Sequence, residues 1–190
     1  MVAKDTAGRL LDTAQQLVQS RGFNAFSYKD LAQAIGIRTA SIHYHFPSKA
    51  HLGTALLERY LADLEVTLAQ LEAAGGTYTA RLQGFIAAYE STEQKGAICL
   101  SGSMASDLET LPEPMRPQVQ AYLDRSERWV RAQIEAGAKS GEFGPAALPE
   151  DIAATLLAGL QGALLIARAR DGRSVLRSIE RTLMMSLGVA

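Results

Sequence analysis

Apolar residues recur along this chain every three or four positions, and no run of β-branched residues alternates with polar ones, so the pattern predicts helices and no sheet. A first helix is predicted over about residues 5–21, where Leu10, Leu11, Ala14, Leu17 and Val18 share a face and Gly22 ends it. Two short helices, 27–35 and 39–46, flank a turn at Gly36 and Ile37. A fourth helix, 48–73, has no breaker but Gly53; at 1.5 Å per residue it is about 39 Å long, enough to leave one domain and enter another. Beyond the turn Gly75-Gly76-Thr77, helices are predicted over 78–93, over 104–110, and from Leu111-Pro112-Glu113-Pro114 to about 139. The Gly/Ser-rich stretch 94–103 reads as a flexible connection and 140–149 as a loop. Pro149, Glu150 and Asp151 suit the start of an eighth helix, and Asp171-Gly172 separates it from a last one over about 173–187.

The short pair carries the most information. Ser27 and Asp30 form a Ser-x-x-Asp run of the capping-box kind, and Leu31 and Ile35, four apart, share a buried face. Gly36 permits the backbone turn that ends the helix, and Ile37 fills the space beneath it. In the second helix Ile42 and Phe46 face inward, while Thr39, Ser41, His43, Tyr44 and His45 offer hydrogen-bonding groups outward. Pro47-Ser48-Lys49 stops it and starts the next helix. Two short helices around a glycine turn, the second with a polar face, is the helix-turn-helix arrangement that sets a recognition helix in the DNA major groove.

The order Gly22-Phe23, Leu31-Ala32, Gly36-Ile37, Tyr44-His45-Phe46-Pro47-Ser48-Lys49 closely resembles the N-terminal domain of TetR-family transcriptional regulators. The resemblance covers about the first sixty residues and fades beyond Leu61. It implies an all-α fold, with a helix-turn-helix domain over 1–47 and a helical ligand-binding and dimerisation domain over 48–190. It also implies a homodimeric regulator of double-stranded operator DNA, a repressor released by a small-molecule inducer. The DNA-facing candidates are Ser27, Tyr28, Lys29, Arg38, Thr39, Ala40, Ser41, His43, Tyr44, His45 and Lys49, with Lys29 and Lys49 as phosphate contacts. Two positions depart from the commonest form: Arg38 stands where Ser or Thr often caps the recognition helix, and His43 stands where Tyr is frequent. Two further readings fit the same helices: a ligand-dependent activator, and an interaction module of this fold that does not bind DNA.

Charge changes the picture modestly. The net charge of −1 looks poor for a DNA binder, but residues 1–50 hold six Lys/Arg against three acids, +3, leaving −4 for the rest. With 47% hydrophobic and 21% charged residues the composition is that of an ordinary globular protein. The longest apolar stretch, 156–169, is shorter than the roughly 20 residues a membrane span needs, and the N-terminus lacks a signal peptide's apolar core. A single cysteine excludes an internal disulfide and suits a reducing cytoplasm.

Catalytic chemistry finds no foothold. Gly-x-Ser-x-Gly, His-Glu-x-x-His and phosphate-loop patterns are all missing, and every histidine lies at or before residue 51. His43 and His45, two apart on a helix, point in divergent directions and cannot share a metal ion. No cofactor is expected.

Within 48–190, Phe85, Tyr89, Met104, Tyr122 and Trp129 combine apolar bulk with polar handles and are candidates either for core or for a ligand pocket. Cys99 admits two readings. One is inert packing; the other is a reactive thiol in the flexible connection, before a helix start and four residues after Lys95. The stretch CLSGSMASDLETLP is similar to a TetR subgroup, the N-ethylmaleimide-responsive repressors, which implies an electrophile sensor at Cys99. The last two helices are too apolar for a solvent-facing ending: they pack either inside one subunit or, as the resemblance also implies, against a partner, and a two-fold four-helix dimer contact is expected at Leu156, Gly159, Gly162, Ala163, Ile166, Ile179 and Leu183. Arg168, Arg170, Arg173, Arg177 and Arg181 read as solvated or dimer-edge charges.

Overall fold

A computed structural model describes residues 2–170 and 174–189. Among the described residues there are nine α-helices and no strand: α1 (Val2–Arg21), α2 (Tyr28–Ile35), α3 (Thr39–His45), α4 (Lys49–Ala73), α5 (Tyr78–Gln94), α6 (Leu100–Ser106), α7 (Arg116–Ser140), α8 (Pro149–Ala169) and α9 (Leu176–Ser186). Two 3-10 turns, Leu108–Thr110 and Glu113–Met115, precede α7. The Asp171-Gly172 break and Arg173 lie outside the described residues, and the last helix begins three residues later than the pattern predicts.

Contacts group the chain into two compact units. One takes in Met1–Asp63 and Leu100–Tyr122, the other Leu64–Cys99 and Leu123–Ala190, so α4 and α7 each contribute to both. Where the sequence reading cuts once, after residue 47, the spatial grouping is discontinuous and returns residues 100–122 to the first unit.

In the first unit Leu10, Ala14 and Val18 form a fully buried stripe on α1, against which α2 and α6 pack. Gly22 ends α1 with a φ of 90°, its amide returning to the Val18 carbonyl at 2.8 Å. Gly53 sits inside α4 at a close contact: a Cβ there would stand 2.5 Å from Cε of buried Met115 and 2.9 Å from the Phe23 ring, so these side chains would have to shift. The glycine that reads as a weak point in the helix is a packing site.

The Gly/Ser-rich stretch is not a flexible connection throughout. Residues 100–103 form the first turn of α6, with Leu100, Ser101, Ser103 and Met104 buried, and the helix expected over 104–110 starts four residues earlier. Small side chains let α6 lie close on α1, and the Ser103 hydroxyl donates to the Val18 carbonyl at 3.2 Å. Here small size serves packing, which composition alone does not separate from flexibility.

The second unit packs α5, α8 and α9 on one another. Leu82, Phe85, Ile86 and Tyr89 give α5 a buried face at helical spacing, and Leu156, Leu157, Leu160, Ala163, Leu164 and Ala167 do the same for α8. At 21 residues α8 is long and apolar enough to cross a membrane, contrary to the shorter stretch counted from sequence, yet its buried side chains pack on α5 and α9 as a core helix does. Thr77 caps α5 from within, and Glu142 caps it from 63 residues away: its carboxylate accepts the Tyr78 amide at 2.9 Å, the Thr79 amide at 2.7 Å and the Thr79 hydroxyl at 2.7 Å. Desolvation pulls the Glu142 pKa up, but these donors and the Arg81 guanidinium outweigh it and hold the carboxyl below its ordinary value.

Candidate nucleic-acid interface

The interface is assembled from two helix ends and one exposed face. The Ser27 hydroxyl accepts the Asp30 amide at 3.3 Å, while the Asp30 carboxylate accepts the Ser27 amide at 2.7 Å and the Ser27 hydroxyl at 2.6 Å. The Ser27 hydroxyl, then its amide, with Arg21 beyond them, hold the Asp30 carboxyl below the usual carboxylate range. Gly36 closes α2 with a φ of 76°, and its amide and that of Ile37 both donate to the Ala32 carbonyl, at 2.9 and 3.1 Å. That turn aims α3.

On α3 Ile42 is 0% exposed and Phe46, just past its end, is buried; Thr39, Ala40, Ser41, His43 and Tyr44 are exposed and His45 is half-buried. With Ile42 inward, a turn of about 100° per residue sends Ala40 and Tyr44 within roughly 20° of straight outward. Thr39 and His43 then lie on one flank, Ser41 and His45 on the other. Tyr44 is 82% exposed, its ring meeting the His45 ring edge-to-face, centroids 5.2 Å apart at 84°. A shallow groove runs along the second flank, lined by Thr6, Ile37, Ala40, Ser41, Tyr44 and His45. Thr6 lies off the buried stripe of α1, so the apolar pattern carries no signal for it.

Electrostatics favour a polyanion here. Residues 31–57 contain no Asp or Glu, yet hold Arg38, Lys49 and all three histidines. Lys29 and Arg38 are exposed, and Arg38 occupies the cap position of α3 without a side-chain capping bond.

Two candidates have a different place from the one expected. Tyr28 is only 8% exposed, and its hydroxyl donates to the Phe46 carbonyl at 3.0 Å, so it ties α2 to the end of α3 instead of facing outward. Burial raises its pKa to about 12. Lys49 is half-buried: its ammonium lies 4.6 Å from the Phe23 ring centre and 4.4 Å from that of Phe26, and donates to the Phe26 carbonyl. Desolvation holds its pKa below that of an ordinary lysine, and Asp30 pulls it part of the way back.

Residues 10–56 match the family described as bacterial regulatory proteins, tetR family, and residues 79–183, more than half of the chain, match the tetracyclin repressor-like C-terminal domain. The chain belongs to the TetR family. It is therefore a helix-turn-helix, DNA-binding transcriptional regulator. It is 29% identical over 171 residues to the HTH-type transcriptional repressor DhaR of Mycobacterium sp. (strain GP1), covering 88% of this chain and 84% of DhaR. It is 31% identical over 144 residues to the HTH-type transcriptional repressor NemR of Escherichia coli (strain K12), covering 72% and 69%. The crystal structure of the reduced form of E. coli NemR superposes with a TM-score of 0.82 at 25% identity, over 96% of this chain and 97% of that one.

In TetR-family terms the ligand candidates fall into separate groups. Phe85 stacks on Trp129 at 5.5 Å and meets Tyr89 at 5.6 Å inside the second unit. Trp129 donates its indole N–H to Glu72 at 2.7 Å, and the Tyr89 hydroxyl accepts from Gln161 at 3.2 Å. Met104 and Tyr122 belong to the first unit, where Tyr122 stacks on Tyr60 at 4.7 Å. Cys99 is 3% exposed, between buried Ile98 and Leu100, so the thiol does not sit in an exposed mobile segment.

The dimer candidates divide as well. Ala163 is 1% exposed within its own subunit and is core, not contact surface. Leu156, Gly159, Ile179 and Leu183 line a groove of about 380 Å³ between α8 and α9. Gly162 and Ile166 lie on the outer face of α8 with Ala158 and Leu165, and a Cβ at Gly162 would meet nothing within 4 Å.

Proposed function

We propose that this TetR-family regulator is a cytoplasmic homodimeric repressor. Residues 1–47 read a palindromic operator, and residues 48–190 carry the dimer contact and the site of a small-molecule inducer. The observation that carries the reading is the outward face of α3: hydrogen-bonding side chains without a single carboxylate, held by a buried Ile42 and an αL glycine turn. That both curated relatives described above are repressors supports the sign of regulation. The stripe of exposed Ala158, Leu165 and Ile166 with half-buried Gly162 supports pairing through α8, since small residues let two helices approach and the apolar ones need cover. A two-fold pair would present its recognition helices to half-sites about 34 Å apart. An inducer releases DNA only if it binds the DNA-free arrangement more tightly than the DNA-bound one.

The test is selection of duplexes from a random-sequence library by the full-length protein, followed by affinity against salt. A palindromic motif and a steep negative salt slope are expected. Tyr44→Ala and Thr39→Ala should weaken binding to the selected duplex while helicity and sedimentation stay unchanged. Selection of no motif, with salt-insensitive binding, would instead fit an interaction module that does not read DNA.

One observation favours a second reading of the inducer. The CLSGSMASDLETLP stretch, similar to the N-ethylmaleimide-responsive repressors, fits electrophile sensing at Cys99, which at 3% exposure requires the segment to open first. N-ethylmaleimide that modifies native protein and releases DNA, with Cys99→Ser resistant, supports it. Modification only after denaturation makes Cys99 packing and the inducer noncovalent.

A further inference from the structure

His43 is held differently from its neighbours on α3. Its Nδ1 lies 3.2 Å from the Pro47 carbonyl oxygen, and its ring meets the Tyr28 ring edge-to-face, centroids 4.9 Å apart at 65°. Tyr28 is itself fixed, buried and donating to the Phe46 carbonyl. The imidazole of this exposed residue is thus clamped at two points before any ligand arrives, so little side-chain freedom is lost on binding.

The clamp also sets the chemistry of the ring. A carbonyl oxygen has no proton to give, so the hydrogen in the His43–Pro47 bond belongs to Nδ1. A neutral imidazole carries one N–H, which leaves Nε2, on the far edge of the ring, as a bare acceptor. In the major groove only two base groups donate: the N6 amino group of adenine and the N4 amino group of cytosine. Guanine and thymine turn acceptors toward the same edge, and phosphate has no proton to offer.

From this we infer that His43 is a specificity-determining residue that accepts a hydrogen bond at Nε2 from the exocyclic amino group of an adenine or cytosine in each half-site. The inference rests on the assignment of α3 as the recognition helix and adds the class of base it reads. Thr39 shares the flank of α3 with His43 and is the neighbour placed to contact the adjoining base.

The experiment uses the full-length protein and a random-sequence duplex library, comparing wild type with His43→Phe, which keeps a ring against Tyr28 but has no nitrogen. Wild type is expected to select adenine or cytosine at one position per half-site, and His43→Phe to lose preference there while keeping the rest of the motif. In the selected duplex, that base is then replaced by its analogue without the amino group, purine for adenine or pyrimidin-2-one for cytosine. This should weaken wild type by about 3- to 10-fold, the value of a single hydrogen bond, and leave His43→Phe unaffected. The analogue arm uses wild-type protein, so it stands even if the variant folds poorly.

A motif whose positions all survive His43→Phe would overturn the inference. So would loss of preference at a guanine or thymine, or a loss of affinity that is uniform across sequences with a shallower salt slope, which marks a charged ring on phosphate. Failure of wild type to select any motif is a distinct result, and it removes the recognition-helix assignment itself.

Discussion

Lys49→Met separates two roles that the same residue can play. A lysine at the start of α4 behind a recognition helix suggests a phosphate contact, and losing one such contact lowers the salt slope of DNA binding by about 0.9. The structure gives the ammonium to the protein: two phenylalanine faces at 4.6 and 4.4 Å and the Phe26 carbonyl. Each cation–π contact contributes about 0.5–1 kcal/mol when partly exposed, and a charged hydrogen bond about 1.5–3 kcal/mol. Against these stands the cost of partial burial, seen in a lysine pKa held below its ordinary value. Methionine keeps the apolar stem and removes the charge, leaving the Phe26 carbonyl without its donor. The net loss should therefore lie near the lower end, about 1–3 kcal/mol. In urea, with a slope of roughly 2 kcal/mol/M, that is a midpoint lower by about 0.5–1.5 M. DNA affinity measured well below the unfolding range should fall modestly, with the salt slope unchanged. An unchanged midpoint together with a slope shallower by about one would refute the reasoning and return Lys49 to phosphate.

Gly53→Ala gains about 1 kcal/mol of helix propensity but drives a methyl into Met115 and Phe23, an overpacking cost of about 1–3 kcal/mol, so a net loss is expected by thermal or urea unfolding. A double-mutant cycle with Met115→Ala should show coupling above about 0.5 kcal/mol, and strict additivity would place the clash elsewhere. Glu142→Ala should cost about 1–2 kcal/mol by uncapping α5. Because the Glu142 carboxyl is held low in the folded protein, its stabilisation is present above the unfolded glutamate value of about 4.3 and disappears as pH falls through the lower folded value. Glu142→Gln should flatten that part of the stability profile, and an unaltered acid limb would show that the carboxylate contributes nothing there. Gly162→Glu meets nothing within its own subunit, so its helicity should match wild type while sedimentation shows monomer and DNA binding is lost; a dimeric variant would move the contact off this face.

What was legible in the sequence was whatever the chain decides within about four residues. The Ser27–Asp30 capping box, the αL turn at Gly36 and the inward pair Ile42 and Phe46 depend on neighbours close along the chain, and each stands where the residues put it. Contacts between distant segments were not legible, and they account for the corrections at Tyr28, Lys49, Glu142, residues 100–103 and Ala163. Tyr28 follows a capping serine on an exposed turn, as an outward residue does, but the Phe46 carbonyl 18 positions on claims its hydroxyl. Lys49 reads as free until Phe23 and Phe26 fold beneath it. Glu142 reads as loop charge until α5 ends against it, and residues 100–103 read as flexible until α1 supplies the surface that small side chains fit. Ala163 and Gly162 are neighbours on α8, and only the packing of α5 and α9 decides that one is core and the other surface.

A polar group already satisfied within the fold contributes little more by meeting DNA, because that would exchange one hydrogen bond for another. The Ser27 hydroxyl, the Tyr28 hydroxyl and the Lys49 ammonium are engaged in this way. Thr39, Ser41 and Tyr44 face outward, and the far edge of the clamped His43 ring adds an acceptor of fixed direction beside them. Specificity should therefore come from these few positions on α3, while Ser27, Tyr28 and Lys49 fix the angle at which they are presented.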